Sequence, residues 1–129
     1  MSLKKIEMTA GNNVACIDFD GTLFPFRPLY EHNDPIQGAV EAMWWLKSLG
    51  YKVVIYTSRL SPSWLSESGE SFDKSYRWVE DRLTEFNIPY DDITAEKIPA
   101  EFYVDDRGIA FRGSWAAVKA EIQQGRTDN

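Results

Sequence analysis

Asp18-Phe19-Asp20-Gly21-Thr22-Leu23-Phe24 follows the apolar run Val14-Ala15-Cys16-Ile17, so two carboxylates sit two positions apart where a strand gives way to a glycine turn. Side chains alternate faces along a strand, which puts Asp18 at its end and Asp20 just beyond. Gly21 tolerates backbone angles that other residues avoid, so the chain can turn sharply and aim both acids at one ligand. A carboxylate is a competent nucleophile toward phosphorus. A neighbouring acid can carry the leaving-group proton, provided that a cation offsets the crowded negative charge. The stretch therefore predicts phosphoryl chemistry at the end of a strand.

Two further apolar runs, Val53 to Tyr56 and Phe102 to Val104, show as little polar alternation as the first, as expected of short parallel strands covered on both faces. Helical spacing separates them. Asp34-Pro35 reads as an N-cap and first helical residue of a helix through Ala39, Ala42, Met43, Leu46 and Leu49, ending near Gly50. A second helix spans roughly Phe72 to Phe86, with Tyr76, Val79, Leu83 and Phe86 on one face and Asn87-Ile88-Pro89 stopping it. Ser114 caps a third, carrying Trp115, Val118 and Ile122, and the tail from Gly125 to Asn129 is expected to fray. Alternating strands and helices predict a single domain over 1–129: an α/β three-layer Rossmann-like sandwich around a mostly parallel sheet with right-handed connections. Such sheets bind ligands beyond the carboxyl ends of their strands, where Asp18, Thr57 and Asp105 all fall.

With these residues in place, the chain resembles the haloacid dehalogenase superfamily of aspartyl-phosphate enzymes, whose first motif DxDGT is matched by DFDGT. The second motif, a Thr or Ser ending an apolar strand, is matched by Thr57 in YTSR; the third, a lone lysine, by Lys97; the fourth, a pair of acids ending a strand, by Asp105 and Asp106. The resemblance implies that Asp18 attacks phosphorus and that Asp20 serves as acid and then base. Lys97 would neutralise the phosphoryl group. Thr57, with Ser58 and Arg59 behind it, and Arg27 from the loop after the first motif, would contact substrate. The implied cofactor is Mg²⁺, held by Asp18, the Asp20 carbonyl and Asp105, with Asp106 direct or through water, because hard oxygen ligands suit that ion. A threonine at the Asp20 position marks related ion-pumping ATPases with a long-lived phosphoenzyme; an acid there implies rapid turnover.

Relatives often insert a cap domain after the first motif or between the second and third. Neither interval has room: only FPFRPLYEHND lies between Leu23 and Pro35, and Thr57 to Lys97 is expected to hold one loop, Ser61 to Glu70 with Trp64, and one helix. The chain thus resembles the capless branch, with an open crevice whose selectivity comes from the flap, from that loop or from a neighbouring subunit. Fourteen basic against twenty acidic residues, net −6, argue against a broad nucleic-acid or anionic-membrane surface, and no run is long enough to span a bilayer. Cys16 cannot form an internal disulfide, and no charged leader with an apolar run precedes the first strand, so a reducing cytoplasm is expected.

The expected activity is Mg²⁺-dependent phosphomonoester hydrolysis on a small metabolite such as a sugar phosphate. A polynucleotide 3′-phosphatase is the alternative, against which the acidic balance counts, and a noncatalytic binding module on the same scaffold is the alternative of another class. Cys16 is expected as a small core residue, His32 as a surface imidazole, and Asp91-Asp92 as a solvated loop pair. Arg107, like Arg27 and Arg59, follows a motif turn and is a candidate anion contact. Trp44 or Trp45 should fall outside the apolar stripe of the first helix, leaving a candidate surface for a homo-oligomer.

Overall fold

The apolar runs do form the sheet. The computed structural model describes residues 13–128 apart from 29, 30, 97, 106–108, 111 and 112. In chain order the elements are β1 (Val14–Asp18), α1 (Ala39–Ser48), β2 (Lys52–Tyr56), α2 (Pro62–Ser68), α3 (Phe72–Glu85), β3 (Asp92–Thr94), β4 (Phe102–Asp105), β5 (Ile109–Ala110) and α4 (Trp115–Asp128), with a 3₁₀ turn at Ser58–Leu60. The strands lie in the order β3-β2-β1-β4-β5, and every pairing among them is parallel. Ala15, Ile17, Val53, Ile55 and Val104 join residues of α1, α3 and α4 in one core, while Cys16 and Val54, whose side chains leave the opposite face, are buried as well. Both faces of the central strands are therefore shielded, as unbroken apolar runs require. The fold is an α/β Rossmann-like sandwich. No helix among the described residues is long and apolar enough to cross a membrane.

Three local expectations need correction. α1 begins at Ala39 rather than at Pro35, because the Ile36 amide donates to the Leu23 carbonyl (2.8 Å) and Gly38 takes a left-handed turn (φ 87°) before the helix starts. A side chain at Gly38 would also meet the Trp115 Cβ at 3.1 Å. Asp34 instead faces His32, whose ring lies 3.0 Å away and stays exposed. The segment read as a Ser/Gly-rich loop contains α2, with Ser61 as N-cap over the Trp64 amide and Pro62 in its first turn. Finally, Asp92 opens a strand, β3, and Asp91 is no free loop charge. Its amide donates to the Val53 carbonyl (2.7 Å), and its Oδ2 accepts from the Val53 amide and from Lys47 Nζ, each at 2.7 Å. That two-way clip fixes β3 on β2 at its amino end.

Further local expectations match the structure, apart from that of the tail. α1 closes at Gly50, which is left-handed (φ 91°), with the Tyr51 amide reaching the Leu46 carbonyl. α3 is capped by Ser71 and buries Val79 and Leu83, with Tyr76 and Phe86 half-buried against the core. Ser114 Oγ accepts from the Ala117 amide at the start of α4, whose Trp115, Val118 and Ile122 are buried; the helix runs on through the tail expected to fray. Cys16 is buried. Trp44 is the tryptophan left outside the stripe of α1, 47% exposed and donating from Nε1 to the Asn87 carbonyl.

Candidate active site at the carboxyl end of the sheet

β1 lies between β2 and β4, so the residues that close these three strands are neighbours. Asp18 pairs with Tyr56, the residue before Thr57, across β1 and β2. On the other side the register runs Ile17 to Val104, and one step further brings Asp18 level with Asp105. Adjacent strands are about 4.8 Å apart, and paired residues of parallel strands share a face, so the ends carrying Asp18 and Asp105 can serve one ligand. Asp105 is buried and Asp18 half-buried.

The turn after β1 is pinned from inside. Phe19, Leu23 and Phe24 are fully buried, with the two phenylalanine rings 4.9 Å apart. The Phe19 amide prolongs the pairing with β2 by donating to the Tyr56 carbonyl, and the Leu23 and Phe24 amides both return to the Phe19 carbonyl. Gly21 supplies the positive φ of 78° that the reversal needs; the space beside it is open, so conformation and not room selects glycine. Trp115 Nε1 donates to the Thr22 carbonyl (3.1 Å), tying the start of α4 to the same turn, a role that a reading of Trp115 as core alone overlooks. Apolar residues of the turn are thus driven into the core, and the turn is set rigidly beyond the carboxyl end of β1.

Asp20 is held by a partner that the sequence does not announce. Arg59 Nε donates to Asp20 Oδ2 (2.9 Å) and Nη2 to Oδ1 (3.0 Å), a two-pronged ion pair. Nη2 also donates to the Arg27 carbonyl. Arg59 is completely buried, its guanidinium carbon 4.5 Å from the Trp78 ring centre, 4.8 Å from Phe26 and 5.7 Å from Trp64. Expected as a contact for a substrate anion, Arg59 is instead turned inward to the acid and the flap. Burial pushes the Asp20 carboxyl above its usual range, and the hydrogen bond and charge of Arg59 pull part of the way back.

Thr57 is buried beside it and caps the 3₁₀ turn, its Oγ1 accepting from the Arg59 amide (3.2 Å) while its own amide donates to the Thr94 carbonyl. Ser58 is exposed on the same turn. Arg27 is exposed, with Nη1 donating to the Phe26 carbonyl. Lys97, Asp106 and Arg107 lie outside the described residues. Among the described residues no three carboxylate, histidine or cysteine side chains converge as a metal site. The donor set that is present fits Mg²⁺ in kind: two carboxylates ending neighbouring strands, and a backbone carbonyl, that of Asp20, two residues along the chain from the first. The Asp20 carboxylate is engaged on both oxygens by Arg59.

Parallel strands with acids gathered at their carboxyl ends define an α/β protein of Rossmann-like architecture, and that end of the sheet is where such folds bind their ligands. Two solved structures share the fold. One is a crystal structure of a protein from Vibrio cholerae, 24% identical, covering 90% of this chain and 98% of that one with a TM-score of 0.61. The other, a conserved protein from Bacteroides thetaiotaomicron, is 20% identical and covers 87% of this chain and 90% of that one with a TM-score of 0.58. No protein-family model matches the chain, and no curated protein matches it.

Proposed function

We propose that this chain is a capless phosphomonoesterase of the haloacid dehalogenase type, acting on a small phosphorylated metabolite through an aspartyl phosphate on Asp18. The observation that carries the reading is the alignment of Asp18, Thr57 and Asp105 at the ends of three adjacent parallel strands, from segments far apart in sequence. In the first step an Asp18 oxygen forms a bond to phosphorus as the bond to the leaving oxygen breaks, and Asp20 hands that oxygen a proton. In the second, Asp20 takes a proton from water as the water oxygen attacks phosphorus and releases Asp18. Ser58, exposed on the 3₁₀ turn, and backbone amides beyond the strand ends would donate to phosphoryl oxygens together with Thr57, and Lys97 is the proposed countercharge. Asp18, Asp105 and the Asp20 carbonyl would hold Mg²⁺, with Asp106 alongside, supplying positive charge against phosphate.

The test is turnover by the purified chain with Mg²⁺ over a panel of sugar phosphates, other phosphomonoesters and a 3′-phosphorylated oligonucleotide. Hydrolysis of small phosphomonoesters is expected, and Asp18→Asn should lower kcat roughly 10⁴-fold with an unchanged melting curve. Wild-type turnover in Asp18→Asn would remove this nucleophile. Preference for the oligonucleotide would replace the substrate class, and inactivity across the panel would favour a binding module.

A further inference from the structure

We infer that Arg59 is a positioning residue whose buried guanidinium fixes the Asp20 carboxyl group in the orientation needed for its two proton transfers; the inference rests on the function proposed above. Three observations carry it. The contact is two-pronged, with Nε on Oδ2 and Nη2 on Oδ1, so it fixes the plane of the carboxyl group as well as its place. Each carboxylate oxygen has two acceptor directions, and the fork takes one from each, leaving the outward pair for substrate and water. Arg59 itself cannot drift: its side chain is 1% exposed, Trp78 and Phe26 lie within 5 Å of its guanidinium carbon, and its backbone is set by the Thr57 cap at the end of β2. A rigid strand end thus orients an acid contributed by another strand end, 39 residues away.

The plainer account is that the pair merely holds the fold together, and its energetics weigh against that as the full explanation. Buried ion pairs are commonly no better for stability than apolar residues of the same size. This one also leaves Arg59 Nη1 buried with no hydrogen-bond partner among the described residues, which is a cost. A guanidinium retained on those terms, on the one carboxylate proposed to move protons, gains its value from where it puts that group. General acid–base catalysis depends on placement, and a shift of about 1 Å can cost roughly 10²-fold, so loss of the fork should show in the rate.

The experiment is a cycle of Arg59→Lys, Asp20→Asn and the double variant, assayed with Mg²⁺ and p-nitrophenyl phosphate, with melting curves for each. Lysine keeps the charge and loses the fork. Arg59→Lys should reduce kcat roughly 10- to 100-fold with KM within about twofold of wild type, and aspartyl phosphate should accumulate because the second step needs the placed base. In the Asp20→Asn background the same change should cost less than about twofold, since the inferred effect runs through Asp20, while the bond to the Arg27 carbonyl is lost in both backgrounds. Wild-type kcat in Arg59→Lys, a raised KM, or equal losses in both backgrounds would each overturn the inference; the last two mark a substrate contact and a purely structural residue. Should Arg59→Lys fail to fold, Asp20→Glu replaces it, moving the carboxyl group by one methylene within the same charge pair, and retained wild-type kcat there overturns the inference equally. Inactive wild-type protein would instead bring down the proposed function.

Discussion

Two aspartates, each paired with a cation at a sheet end, respond to their surroundings in opposite directions. Asp20, beyond the carboxyl end of β1, faces a buried guanidinium, and burial dominates, raising its carboxyl above the ordinary 3.8. Asp91, at the amino end of β3, has a partner in Lys47, and both side chains are about one-third exposed. There too burial pushes upward, but hydrogen bonds from Lys47 and the Val53 amide, with the charges of Lys47 and Lys52, outweigh it and lower the carboxyl below 3.8. The difference is one of job. Asp91 is kept ionised to clip two strands, whereas Asp20 keeps its proton to a higher pH than a free carboxyl does, which suits the acid–base role proposed for it.

The comparison breaks most visibly if each partner is removed in turn. Asp20→Ala strands a buried guanidinium that cannot shed its proton, and a loss of about 3–5 kcal/mol by urea denaturation is expected. Arg59→Met strands a carboxyl that can become neutral, so the loss should be smaller, about 1–3 kcal/mol. The reverse order would show that the carboxylate and not the guanidinium is the costlier buried charge.

At the other end, Asp91→Ala leaves the buried Val53 amide without its acceptor and should cost about 1–2 kcal/mol. That gap depends on pH with a definite sign. Because the folded carboxyl titrates below 3.8, its contribution is complete above about pH 4 and disappears as the pH falls through the lowered value, where the unfolded chain binds the extra proton. Melting temperatures of wild type and Asp91→Ala should therefore converge in acid; a constant gap would locate the stabilisation elsewhere. Asp20 works the other way, since the native state holds a proton that the unfolded chain has released, so its contribution falls as the pH rises above 3.8. The smallest effect should be Lys47→Met, below about 1 kcal/mol, because a pair this exposed is weakened by water.

What could be read from the sequence follows how local the cause is. β1, β2 and β4 announce themselves because strands buried on both faces need unbroken apolar runs, and the acids ending β1 and β4 come with them. β3 escapes because Ile93 is its one apolar residue. α2 escapes because it buries no side chain and so has no apolar stripe, although Ser61-Pro62 marks its start. The start of α1 misleads because a local cap signal at Asp34 yields to the distant hydrogen bond from Ile36 to Leu23. Arg59 is the largest omission. Its partner is far along the chain, and the available hint was compositional: an arginine beside a strand end in a chain with Phe26, Trp64 and Trp78 to enclose it.

Nη2 of Arg59 reaches both the acid and the Arg27 carbonyl of the flap. One nitrogen therefore holds the flap and the acid behind it together. Under the proposed function, a bulky substrate that displaced the Arg27 carbonyl would disturb the group that orients Asp20, so size would be discriminated through misalignment and not through a wall.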